Sequence, residues 1–174
     1  MVLLVALAFA RDERMAVVVL PPLNEGAPAS MEGAVARGLA AGVAETEGFR
    51  VIALSGPDQE ALVADPLCRE QPDCLASHVP AGTELVIDPR VARRGGVVSV
   101  EMRLLRDGQL SRRHAAVVTP SSAQDYVQDE CALLLSGWAR DERLYKLAMS
   151  GNADAAAQLE ARFPTSPWTH ALPE

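Results

Sequence analysis

Aromatic side chains are nearly missing from this sequence: two tryptophans, two tyrosines and three phenylalanines make up 4% of 174 residues. A core must therefore be built from Ala, Val and Leu. Lysine is rarer still. Of sixteen cationic residues only Lys146 is a lysine, so Schiff-base chemistry has one candidate, on an exposed-looking helical stretch. The histidines are His78, His114 and His170. The sequence has no Gly-rich phosphate loop, no dinucleotide fingerprint and no Ser nucleophile elbow. No acidic run has the spacing, Gly and distal Glu of a calcium loop. Clustered cations are also missing. Arg93–Arg94 and Arg112–Arg113 are short pairs without interleaved aromatics, in a chain of net charge −7. Phosphate backbones need more positive charge than that, so nucleic acid is not an expected partner. No cofactor is expected either.

What is present suits one globular domain. The apolar fraction is 49%, and a chain of this length buries about two thirds of its unfolded surface. Met1–Ala10 (MVLLVALAFA) is continuously apolar and ends in a small-x-small triplet, Ala8-Phe9-Ala10. A bilayer span needs about twenty residues, so a membrane-spanning role is not expected. The segment fits the core of an export signal without a basic start, and residues 1–14 are read as a leader. The location expected from it is periplasmic or secreted, or cytoplasmic if the segment is not a signal.

Residues 15–139 read as an α/β domain. Met15–Leu20 is an unbroken apolar run, as in a strand buried on both faces. Leu23–Ala29 reads as a flexible loop. From Ser30, Met31, Val35, Leu39 and Val43 recur at helical spacing, with Gly38 and Gly42 placed to let the helix approach the sheet. Phe49–Leu54 is a second strand, and Pro57 opens a short helix. Glu84–Arg90, Val97–Leu105 and Gln109–Val118 form a meander, with Asp107-Gly108 as a hairpin turn. Ser122-x-x-Asp125 has the spacing of a capping box. The helix after it places Val127, Cys131, Leu134, Leu135 and Trp138 on one face. The expected fold is a mixed five-stranded sheet in the order β-α-β-α-β-β-β-α. Residues 140–174 follow as a helical hairpin and tail.

Candidate chemistry centres on the cysteines. Cys68 and Cys74 are six apart, across a breaker-rich stretch. In an exported chain they are the natural disulfide. The competing reading is a metal site using Cys68, Cys74 and His78, with Asp73 the nearest fourth ligand. Structural zinc favours four ligands and a closer cysteine pair. Cys131 reads as a buried core thiol. Asp88 and Glu101 lie on neighbouring strands and are the best candidates for a carboxylate pair in an unrecognised hydrolase. Ser111 and His114, three apart on a strand, point to opposite faces and make no dyad.

The order of these elements resembles the TolB amino-terminal-like and CsgG-like periplasmic α/β domains. The resemblance rests on the strand MAVVVLPPL, the helix ending at Glu45-Thr46-Glu47-Gly48, and Phe49-Arg50-Val51-Ile52. It continues through Cys68…Cys74-Leu75-Ala76, Glu84-Leu85-Val86-Ile87 and the Asp107-Gly108 hairpin. It covers roughly residues 15–138. One departure is Pro89, where such domains continue pairing, which implies an edge strand or an early bend. The resemblance implies a non-catalytic role, docking envelope proteins, without the propeller or barrel hairpins of those families. Ala153–Trp168 looks like the second helix and exit of a tetratricopeptide repeat. One repeat cannot bury its own apolar face, so the helix packs on the domain or docks another chain.

Overall fold

The computed structural model of the chain describes residues 14–172. Met1–Ala10, with its leader reading, lies outside them. Among the described residues six strands form one mixed sheet. β1 (Met15–Val19) lies between β3 (Phe49–Val51) and β4 (Leu85–Arg94), parallel to both. β4, β5 (Val97–Arg106) and β6 (Gln109–Val117) form the antiparallel meander. The sixth strand is β2 (Leu23–Glu25), which pairs parallel with Arg90–Ala92 of β4. It replaces the flexible loop expected there. Asn24 fixes this stretch by accepting from the Ala27 N–H at 2.7 Å and donating to the Ala27 carbonyl at 2.9 Å.

The apolar run of β1 serves two cores because successive side chains leave a strand on opposite faces. Met15 and Val17 join one core, under α1 (Ala29–Glu45) and α4 (Ala123–Leu135). Val18 and Leu20 join the other. That second core is closed by α2 (Gly56–Ala64), a 3-10 turn at Pro66–Glu70 and α3 (Pro72–His78). β5 alternates as its sequence requires. Val100, Met102 and Leu104 are buried on the α1/α4 side, while Glu101 and Arg103 face away. Asp107 (φ 51) and Gly108 (φ 72) both take the left-handed conformation that a tight hairpin needs.

Pro89 neither ends β4 nor marks an edge, contrary to expectation. β4 is central and pairs with β5 from Val86↔Leu105 to Arg94↔Val97. The Leu20 N–H donates to the Ile87 carbonyl at 2.9 Å, so odd-numbered residues of β4 turn their backbone polar groups toward β1 and β2. Pro89 therefore lacks its N–H on the side where β1 has ended and β2 has not begun. The break between those two strands accommodates the proline.

Gly38 and Gly42 also differ from expectation, because the surface they meet is α4 and not the sheet. A Cβ on Gly42 would stand 2.5 Å from Cys131 Cβ and 2.9 Å from the Gln128 carbonyl oxygen. A Cβ on Gly38 would stand 2.5 Å from the Gln124 carbonyl oxygen. The two helices touch backbone to backbone at these points. The expected capping box of α4 does not form. Ser122 has helical dihedrals (φ −106, ψ −7), and its hydroxyl bonds back to Thr119. An N-cap hydroxyl reaches forward only from an extended residue. Trp138 lies beyond the end of α4, packed on the core from the following turn.

At the C-terminus, α5 (Arg140–Met149), α6 (Ala153–Arg162) and the single turn α7 (Pro167–His170) pack together. α6 buries Ala155 and Leu159. The Ser166 hydroxyl donates to buried Asp141 at 2.8 Å, and the Tyr145 and Trp168 rings lie 5.0 Å apart. Arg140 reaches Glu84, just before β4, at 2.9 Å. Among the described residues, no helix is long and apolar enough to cross a membrane.

Candidate functional site: the cysteine loop and the charges beneath it

Two prolines shape the loop. Pro66 opens the 3-10 turn and Pro72 opens α3, each at a first helical position where a missing N–H costs nothing. The turn is capped by Asp65, which accepts from the Leu67 N–H at 3.1 Å. This geometry brings the Cα atoms of Cys68 and Cys74 to 5.2 Å, and their sulfurs are bonded at 2.08 Å.

Between the cysteines, Arg69 turns inward and Glu70 lies over the sheet. Arg69 and Asp88 are both fully buried and meet at 3.0 Å. Arg69 also donates to the carbonyls of Leu62 (2.9 Å) and Pro21 (2.8 Å). The other Asp88 oxygen accepts from Arg90 at 3.0 and 3.1 Å and lies 3.5 Å from Arg103. Glu70 takes a two-pronged contact from Arg103, at 2.7 and 3.0 Å, and a further bond from Arg90. The Arg103 hydrogen bonds, helped by Arg90, hold the Glu70 carboxyl down to about 2 against the opposing effect of burial. Three guanidiniums thus enclose two carboxylates, leaving one net positive charge. Every carboxylate oxygen in this cluster already accepts from arginine. The arrangement clamps the cysteine loop to β4 and β5.

Asp88 and Glu101, the candidate carboxylate pair, do not come together. Asp88 stands opposite Arg103, and Glu101 stands opposite Arg90. Glu101 bonds instead to Arg113 at 2.7 Å, beside a shallow cavity of about 280 Å³ that Asp88 does not line. Arg69 and Glu70 were not anticipated from the sequence, though they do most to organise this face.

His114 is half-buried and bonds Glu130 of α4 at 2.8 Å. Ser111 is the extra residue at an irregularity in β6, where Leu104 pairs with Arg112 and Leu105 with Leu110. Cys131 is fully buried, and burial pushes its thiol up to about 12. Of the short basic pairs, Arg94 meets Glu25 at 3.6 Å, and Arg112 donates to the Leu134 carbonyl at 3.1 Å.

The metal-ligand candidates do come together. Ligand atoms of Cys68, Cys74 and His78 all lie within 4.8 Å of one another. Asp73 is not part of the group. It is Asp58 of α2 that touches His78, with 3.0 Å between Oδ1 and Nδ1.

A scan against protein-family models and a search of curated proteins each find no match. Among solved structures, the chain is similar to lipoprotein GNA1162 from Neisseria meningitidis. Identity is 23%, over 59% of this chain and 78% of that one, at a TM-score of 0.45. It is also similar to a PelC dodecamer from Paraburkholderia phytofirmans (18% identity, 73% of this chain and 89% of that one, TM-score 0.38). A third likeness is to VC0702 from Vibrio cholerae (14% identity, 86% and 91%, TM-score 0.31). With every TM-score below 0.5, none of these bears on what the chain binds.

Proposed function

We propose that the chain is a non-catalytic protein-binding or assembly module of the cell envelope, working in an oxidising compartment. The observation that carries this reading is the bonded pair Cys68–Cys74, because disulfides persist where the surroundings are oxidising. The non-catalytic half draws on the side chains with chemical potential. Asp88, Glu70, His78 and His114 each have a structural partner. The docking half draws on the resemblance of the element order to TolB- and CsgG-type domains.

The test uses protein from its native host, with free thiols alkylated before lysis and counted by mass spectrometry. Cys68 and Cys74 are expected to be joined and unlabelled. Label on both residues in the mature chain would overturn the envelope assignment.

A further inference from the structure

The disulfide and His78 occupy one place, and two features keep that place assembled without the sulfur–sulfur bond. Cys74 and His78 are four residues apart on α3, so they share a helix face. Cys68 is held from the other side by its neighbours: Arg69 is locked to Asp88, and Glu70 to Arg103. Neither ion pair involves a sulfur atom.

His78 is fixed at one ring nitrogen. Its Nδ1 faces Asp58 Oδ1 at 3.0 Å, and Asp58 is itself anchored by the Ser55 hydroxyl. Donation from Nδ1 to a carboxylate leaves the Nε2 lone pair free for a metal. Cys68 is buried while Cys74 and His78 are half-buried, which leaves one side open for entry.

We propose that Cys68, Cys74 and His78 form a two-state element: a disulfide when oxidised and a zinc-type cation site when reduced, with Asp58 as the positioning residue for the imidazole. Two thiolates and one imidazole suit a borderline-soft divalent ion and leave a fourth position for water. The states exclude each other. A metal takes cysteine as thiolate, and a sulfur in a disulfide is not one. Entry into the metal state needs a dithiol reductant. It gives two electrons and two protons to the disulfide and closes to a disulfide itself. The two thiols then release both protons to solvent as their sulfurs bind the cation. This element is independent of the compartment proposed above, because the native thiol state is read by alkylation and the cation site by the reduced chain.

The experiment takes the full chain, reduces it with dithiothreitol, desalts it without oxygen and titrates it with cobalt(II), then displaces the cobalt with zinc. One cobalt per chain with thiolate-to-metal charge-transfer absorption is expected from the reduced protein, and none from the oxidised protein. Asp58→Asn should weaken binding about 10- to 100-fold, and His78→Ala should abolish the single-site signal. Near-UV circular dichroism of the reduced chain should match the oxidised chain. Reduced, folded protein without the absorption would overturn the proposal. So would an unchanged signal in His78→Ala, or loss of fold on reduction, since the site depends on the loop staying clamped.

Discussion

On the α1/α4 face of the sheet, burial is continuous and apolar, from Met15 and Val17 across to Met102 and Leu104. On the opposite face the apolar patch around Val18, Leu62 and Leu105 is smaller, and it gives way at Asp88 to guanidiniums and carboxylates. The first face depends on atoms that are missing: the close approach of α1 and α4 exists because Gly38 and Gly42 have no side chain. The second depends on charges that are matched. One face should therefore fail when atoms are added, and the other when a partner is taken away.

The largest effect is expected from Asp88→Ala. It strips fully buried Arg69 of the one carboxylate it meets among the described residues, and breaking a buried pair from one side costs about 3–5 kcal/mol. Urea unfolding at neutral pH measures it. A loss below about 1 kcal/mol would rank the cluster with surface pairs and erase the contrast between the faces.

Gly42→Val comes next. Its Cβ meets Cys131 and the Gln128 carbonyl, and overpacking of this kind costs about 1–3 kcal/mol. A lowered melting temperature is expected. Any stabilisation would mean that the helices move apart freely and that the small residues are incidental.

The smallest effect belongs to Glu70→Gln, because the Glu70 side chain is 43% exposed. At neutral pH the loss should stay under about 1 kcal/mol. The pH dependence is more telling. The folded carboxyl lies at about 2 against an ordinary value of 4.5. Its contribution is complete above the ordinary value and is lost as pH falls toward about 2. Stability of the variant should fall less steeply than that of the parent across that interval, as followed by acid titration of circular dichroism.

Much of the sheet was legible because its signals are local. The unbroken β1 run, the alternation of β5 and the Asp107-Gly108 turn each announce themselves within a few residues. β2 was not legible: Leu23-Asn24-Glu25 has no alternation, and its pairing depends on the gap left beside Pro89, more than sixty positions away. The ionic cluster was half legible. A two-residue turn at Gly95-Gly96 puts Arg94 opposite Val97, and that register places Asp88 opposite Arg103, not Glu101. The ion pair thus follows from a local turn. Nothing local marks Arg69 and Glu70, because they sit in a loop without periodicity and their partners lie 19 to 33 positions onward. The contact of Gly38 and Gly42 with α4 was not legible for a related reason. Spacing shows that a helix has a narrow side but not which neighbour fills it.

Cys131 gives the α1/α4 seam a reporter of its own. Its sulfur lies 3.2 Å from the point where a Gly42 side chain would begin, and burial keeps the thiol protonated. A thiol in that condition is silent to alkylating reagents until the two helices part. Its labelling rate in the native protein therefore times the opening of that seam, with no engineered probe, while the bonded cysteines on the far side of the sheet contribute no signal.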